Sequence, residues 1–175
     1  MEWREDTTGA FVMPDATLLL LLEEVRAKTL RRLEGVTPAE AAWAPPGTQN
    51  TILWHAGHAY VIVEWLSSQG LDREPAWPPG WKAIFGKDSQ PAQLPPEAWP
   101  TLEEVVGRLV EQRERLRSAI GVMGEAELDR APADASGRTP RYLILHGLHD
   151  EACHSGEIWL LRKQWRVAAG PDLTL

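Results

Sequence analysis

Four long stretches of this chain carry helix start signals ahead of apolar residues that recur at helical spacing. None alternates apolar and polar residues between turns as a strand would. The first begins after Met13, with Pro14 and Asp15 as start signals, and runs "ATLLLLLEEVRAKTLRRLEG" to Gly35. Its basic residues gather in the last turns, where the helix dipole favours them. The second opens with Asn50 as N-cap and runs "TILWHAGHAYVIVEWLSSQG" to Gly70. Thr101 and Glu104 form a capping box ahead of the third, "TLEEVVGRLVEQRERLRSAIG". The fourth starts at Thr139 with Pro140 in the first helical position and continues to about Trp165.

The prolines concentrate in "VTPAEAAWAPPGTQ" and in the segment from Leu71 to Pro100. The latter, about thirty residues, is too long for a plain bundle connection and reads as a crossover or a functional loop. The pattern predicts an all-α fold: one four-helix bundle over residues 1–175 with one long crossover. At 175 residues the chain can bury a core without disulfides or metal as staples.

Charge and composition exclude several function classes. A net charge of −7 and the absence of a basic run argue against a nucleic-acid partner, since phosphate binding needs a concentrated basic surface. The longest apolar run, Leu18 to Leu22, is too short to span a bilayer, and "MEWREDTTG" is acidic where a signal peptide would be basic. A single cysteine, Cys153, excludes an internal disulfide and makes a cytoplasmic location the expectation. Nine tryptophans remain to be placed. Trp3, Trp43, Trp77, Trp81 and Trp99 sit in or beside turn-rich segments. We expect aromatic-lined connections folded over the helices, with Trp77 and Trp81 walling a pocket.

The chemistry concentrates in two helices. On a wheel of helix two, Trp54, His55, His58, Ile62, Trp65 and Leu66 share one arc, with Tyr60, Glu64, Ser67 and Ser68 on the other side. His58 is then expected to face the core between two tryptophans. In "HGLHDEACHSGEIWLLRKQW", Asp150 and His154 are spaced i, i+4 and project from one face. A carboxylate and an imidazole at that spacing can reach one divalent cation, and a third ligand from a facing helix would leave positions for water or substrate.

The same wheel offers alternatives. The most uniformly apolar arc of the fourth helix, Leu145, Leu148, Ala152, Gly156, Trp159 and Leu160, contains His149, whereas Asp150 and His154 lie on a mixed arc. On spacing alone His149 could be the inward residue, and His146 with Asp150 is a workable pair. Cys153 points away from His154 and reads as a packing residue. Glu157, one turn beyond His154, could orient a ligand or act as a base, though a solvated role fits it better.

"ILWHAGHAYVIVEWL", followed about ninety residues later by "HDEACHSGEIWLLRK", resembles the DinB-like (DinB/YfiT) superfamily of metal-dependent four-helix bundles. "VTPAEAAWAPPG" is similar to the family's lead-in to helix two, and "HSGEI" to its His-x-Gly-Gln/Glu signature. The resemblance implies an up-down-down-up helix order and a homodimer. It implies one metal ligand from helix two, His58 with His55 the weaker match, and two from the last long helix, Asp150 and His154. Most members carry histidine at the place of Asp150; an acidic residue there is similar to the mycothiol-dependent maleylpyruvate isomerase branch.

By resemblance the ion would be zinc or nickel. The activity would be transfer or isomerisation using a low-molecular-weight thiol, or hydrolysis through metal-bound water. A metal keeps a thiol as nucleophilic thiolate at neutral pH. The contrasting expectation is a non-catalytic, stress-associated bundle that binds a metal or a small ligand.

Overall fold

The computed structural model describes residues 13–132 and 137–170; Trp3 lies outside them. Every described regular element is helical: α1 (Ala16–Leu33), α2 (Pro38–Ala42), α3 (Ile52–Gly70), α4 (Trp81–Phe85), α5 (Leu102–Ile120), α6 (Glu125–Leu128) and α7 (Pro140–Ala169). The expected start signals act where side-chain oxygens can reach the free N–H groups of the first turn. Asp15 accepts from the Leu18 amide at 2.8 Å, Thr139 accepts from Tyr142, and Thr101 and Glu104 bond reciprocally. The cap of α3 is Thr51 rather than Asn50, its hydroxyl accepting from the Trp54 amide at 3.1 Å. Helix α7 runs a turn past Trp165, whose ring packs edge-on against Trp43 at 5.7 Å.

Helices α1 and α3 each pack against both α5 and α7. Asp15, Arg26 and Arg32 meet Arg141, Glu151 and Ser155 in the same order, so α1 and α7 run parallel. On α3 the order reverses: His55 meets His154, and Gly70 lies against Pro140. Arg26 reaches Gln112 while Glu23 reaches Arg117, which sets α5 against α1.

Helix α3 is central, covered by α2, α4, α5 and α7. The face holding Tyr60, Glu64, Ser67 and Ser68 is therefore as buried as the face holding His55 and His58. Trp54 stacks on His58, whereas Trp65 is partly exposed rather than buried beside it in the core. Helix α7 departs further from the expectation of its wheel. Of its uniformly apolar arc only Leu148 is buried, and the mixed arc faces the bundle.

The reason is a buried polar belt. Arg26 is fully covered and donates to both Glu151 oxygens at 2.8 and 2.9 Å, to Gln112 Oε1 at 2.7 Å and to the Leu109 carbonyl. Gln112 donates in turn to Glu64 Oε2 and to the Tyr60 carbonyl; Arg115 and the Ala76 amide complete Glu64. The belt divides the interior into two apolar halves, one around Ile52, Phe85 and Ile158, the other around Leu22, Leu116 and Leu148. Buried polar groups persist only when paired, and here the pairing decides which face of α7 turns inward.

The long connection carries α4 and two 3₁₀ turns, Pro91–Gln93 and Pro96–Ala98. Trp81 and Phe85 are buried against α3, and Tyr60 meets the Trp81 ring edge-on at 5.4 Å. Phe85 fits because residue 57 is glycine: a Cβ there would lie 2.3 Å from the Phe85 ring. Gly57→Ala should therefore cost about 1–3 kcal/mol by overpacking, read as an earlier urea midpoint at unchanged m-value.

Candidate metal centre

On the seam between α3 and α7, at the height of the polar belt, three donor-bearing side chains converge. His58 Nε2 lies 3.6 Å and His154 Nε2 3.4 Å from the same oxygen, Asp150 Oδ2. One ligand atom from each of the three lies within 4.8 Å of the others. Two atoms each about 2.1 Å from a tetrahedral ion are about 3.4 Å apart, so the spacing to Asp150 suits a shared cation.

The surroundings fit the same use. Asp150 Oδ2 is buried and accepts no hydrogen bond from the described protein atoms, a costly condition for a carboxylate oxygen unless a cation or donor sits against it. His58 Nδ1 lies 2.6 Å from the Phe85 carbonyl oxygen, which can only accept; Nδ1 therefore donates, and Nε2 keeps its lone pair for the cluster. The Trp54 ring stacks on His58 at 4.7 Å and fixes its plane.

His55 enters the group from the side, its Nδ1 2.8 Å from His154 Nδ1. Burial, then the neighbouring His154 and His58, push its imidazole down to about 3. Burial and His58 also lower His154, against the opposing pull of Asp150. Both rings are neutral at neutral pH, the form in which imidazole can ligate.

The remaining candidates stand apart. His149 is exposed, with its Nε2 3.9 Å from the Cys153 sulfur, and does not face His58. His146 is exposed and stacks on Tyr142. Cys153 is exposed rather than packed, and Glu157 is exposed as well. The sequence reading missed one group and the role of another. The Phe85 carbonyl leaves no signature, being backbone; His55 was legible as the weaker ligand match on the arc of His58, but its contact with His154 was not.

A cavity of about 760 Å³ opens beside His58, between α3 and the crossover. Val61, Ile62, Trp65 and Trp77 give it apolar walls, and Lys82, Lys87 and Asp88 stand at its edge. Trp77 thus lines the pocket as expected, whereas Trp81 belongs to the core. A larger cavity, about 920 Å³, lies between α2 and the start of α5 and touches none of the three donors.

The described residues form an all-helical bundle with a His/Asp/His cluster on the seam of α3 and α7, a place where a bundle could hold a metal between helices. The chain belongs to the DinB superfamily, whose family model matches residues 21–158. That span covers the cluster and all but the start of α1 and the end of α7. No curated protein matches the chain. Among the described residues no helix is long and apolar enough to cross a membrane.

Proposed function

We propose that this protein is a metal-dependent enzyme that activates a low-molecular-weight thiol for attack on an electrophilic small molecule. His58, Asp150 and His154 would hold the divalent ion, zinc or nickel. The observation that carries the reading is the unpartnered Asp150 oxygen, set between two imidazole nitrogens beside an apolar cavity. Three protein donors are the number catalytic zinc sites provide, whereas structural sites close with four.

When bound, the ion would hold the thiol as thiolate and keep it nucleophilic at neutral pH. The chain's own groups do the rest. Phe85 holds His58 by its carbonyl, and Asp150 supplies the one negative charge among the donors. Trp65 and Trp77 offer flat walls for an apolar substrate body and exclude water from it, while Lys82 and Lys87, offset in part by Asp88, leave a net positive rim that favours a substrate with an anionic end. Use of such a thiol accords with a cytoplasmic location.

Protein purified without a histidine tag should carry, or take up on titration, about one divalent ion per chain, the ratio an open three-donor site requires. The loaded protein should couple mycothiol or bacillithiol to 1-chloro-2,4-dinitrobenzene at least about tenfold faster than chelator-treated protein, the effect of raising the thiolate fraction. Binding without thiol-dependent turnover would favour a non-catalytic bundle, and no uptake of any divalent ion would overturn the metal reading.

The outward face of α7 belongs to the same reading. Tyr142 and Leu145 near its start and Trp159 and Leu160 further along are exposed, the last two 39% and 48%, with His149, Ala152 and Gly156 between the two pairs. Large apolar side chains grouped on one exposed helix face are costly in water, and a second copy would cover them in a homodimer. Light scattering at micromolar concentration should give twice the chain mass, and Leu160→Glu should return the monomer. A wild-type monomer would remove the dimer.

A further inference from the structure

We infer that His55 is a positioning residue for the metal centre: it accepts a hydrogen bond from His154 Nδ1 and so turns His154 Nε2 toward the ion. The inference rests on the proposed role of His58, Asp150 and His154 as ligands.

The two Nδ1 atoms are 2.8 Å apart, so one proton lies between them and one ring donates while the other accepts. His154 presents Nε2 to Asp150 at 3.4 Å, and this is the nitrogen that faces the cluster. A metal-bound nitrogen carries no proton. A neutral imidazole carries one, which must then sit on Nδ1, directed at His55. His55 in turn offers the lone pair of its Nδ1 and keeps its own proton on Nε2. His58 shows the same division of labour, Nδ1 to the Phe85 carbonyl and Nε2 to the cluster.

His55 does not itself join the ligand set. Its Nδ1 is committed to His154, and the group of mutually close donor atoms is His58, Asp150 and His154. Its ring is buried, with the Trp54 ring edge-on at 5.2 Å, so the acceptor is held in place from two sides. As a neutral acceptor it orients His154 without adding a second negative charge to a site that already holds Asp150.

Three variants test this, each with its folding checked by thermal unfolding. The oxygen of an asparagine side chain reaches about where histidine Nδ1 lies, whereas that of glutamine reaches about where Nε2 lies. Zinc affinity, measured against a chelating dye, should fall about 10- to 100-fold in His55→Leu and His55→Gln and stay within about threefold of wild type in His55→Asn, as for lost and kept outer-shell partners. If the leucine variant does not fold, the asparagine and glutamine pair decides.

The second readout is NMR of protein labelled with ¹⁵N-histidine. A coupling across the hydrogen bond should join the two Nδ1 nuclei with or without zinc, and in zinc-loaded protein the proton should reside on His154 Nδ1. Absence of the coupling, wild-type affinity in His55→Leu, or equal loss in the asparagine variant would overturn the role of His55 and leave the metal reading standing. No zinc uptake by wild-type protein with the coupling intact would overturn the metal reading, and the role of His55 with it.

Discussion

Glu151→Ala should destabilise the protein by about 3–5 kcal/mol, the cost of leaving one charge of a buried pair uncompensated. Both partners are fully covered, with side-chain exposure of 0% for Arg26 and Glu151. Without the carboxylate, the Arg26 guanidinium keeps only the Leu109 carbonyl and Gln112 Oε1, neither of which carries charge. The loss is a large fraction of the about 5–15 kcal/mol that holds a typical domain folded. Urea denaturation of Glu151→Ala beside wild type measures it, and a loss under about 1 kcal/mol would mean that water reaches Arg26 and solvates it.

The double variant Arg26→Met, Glu151→Leu separates the charge from the space it fills. Apolar replacement of a whole buried pair is often neutral or stabilising, so this variant should recover most of the stability that Glu151→Ala loses. The belt also fixes a pH dependence. Burial alone would raise the Glu64 carboxyl, but its bonds from Gln112 and the Ala76 amide and the charge of Arg115 outweigh it and hold it below 4.5. A depressed carboxyl contributes stability that is present above its unfolded value and lost as pH falls through the folded one. The Glu64 contribution therefore fades below about pH 4.5.

Local signals were legible in the sequence, and pairings between distant helices were not. The caps at Asp15, Thr101 and Thr139 act within one turn, so residue type and spacing reveal them. Asn50 and Thr51 are both N-cap types, and the one-residue error there is of the kind that local signals permit. The faces of α7 depend on partners more than a hundred residues away. A wheel that sorts by apolarity alone sends Trp159 and Leu160 inward, yet Glu151, Ser155 and Arg162 are the buried ones. Their partners are Arg26, Arg32 and Glu40 on α1 and α2.

Arg26 did carry a local trace. It stands four residues after Leu22 on the buried stripe of α1, a lone charge among apolar positions, and such a residue calls for a buried partner. The candidate metal donors were more legible than the packing around them because i, i+4 spacing on a helix fixes Asp150 and His154 relative to each other whatever surrounds them. What the wheel could not supply was the depth of His58, set by Phe85 reaching across Gly57 from a five-residue helix too short to leave a pattern.

The substitution that bears most directly on function is His58→Ala. It should lower zinc affinity by more than about a hundredfold, because loss of an outer-shell partner alone costs about 10- to 100-fold and this removes a ligand outright. His58 is the only one of the three donors that comes from α3; Asp150 and His154 would remain as a two-donor pair on α7. Because the ring stacks on Trp54, its removal leaves a gap, so His58→Gln, closer in volume, accompanies it to separate ligand loss from packing loss. His146→Ala is the counterpart, since His146 is exposed and its contact is to Tyr142, outside the cluster; that variant should bind zinc as wild type does. Elemental analysis and dye competition on all three read the result. Retention of the ion by both His58 variants, or its loss from His146→Ala, would show that the ligands are other than His58, Asp150 and His154, however well the unpartnered Asp150 oxygen fits them.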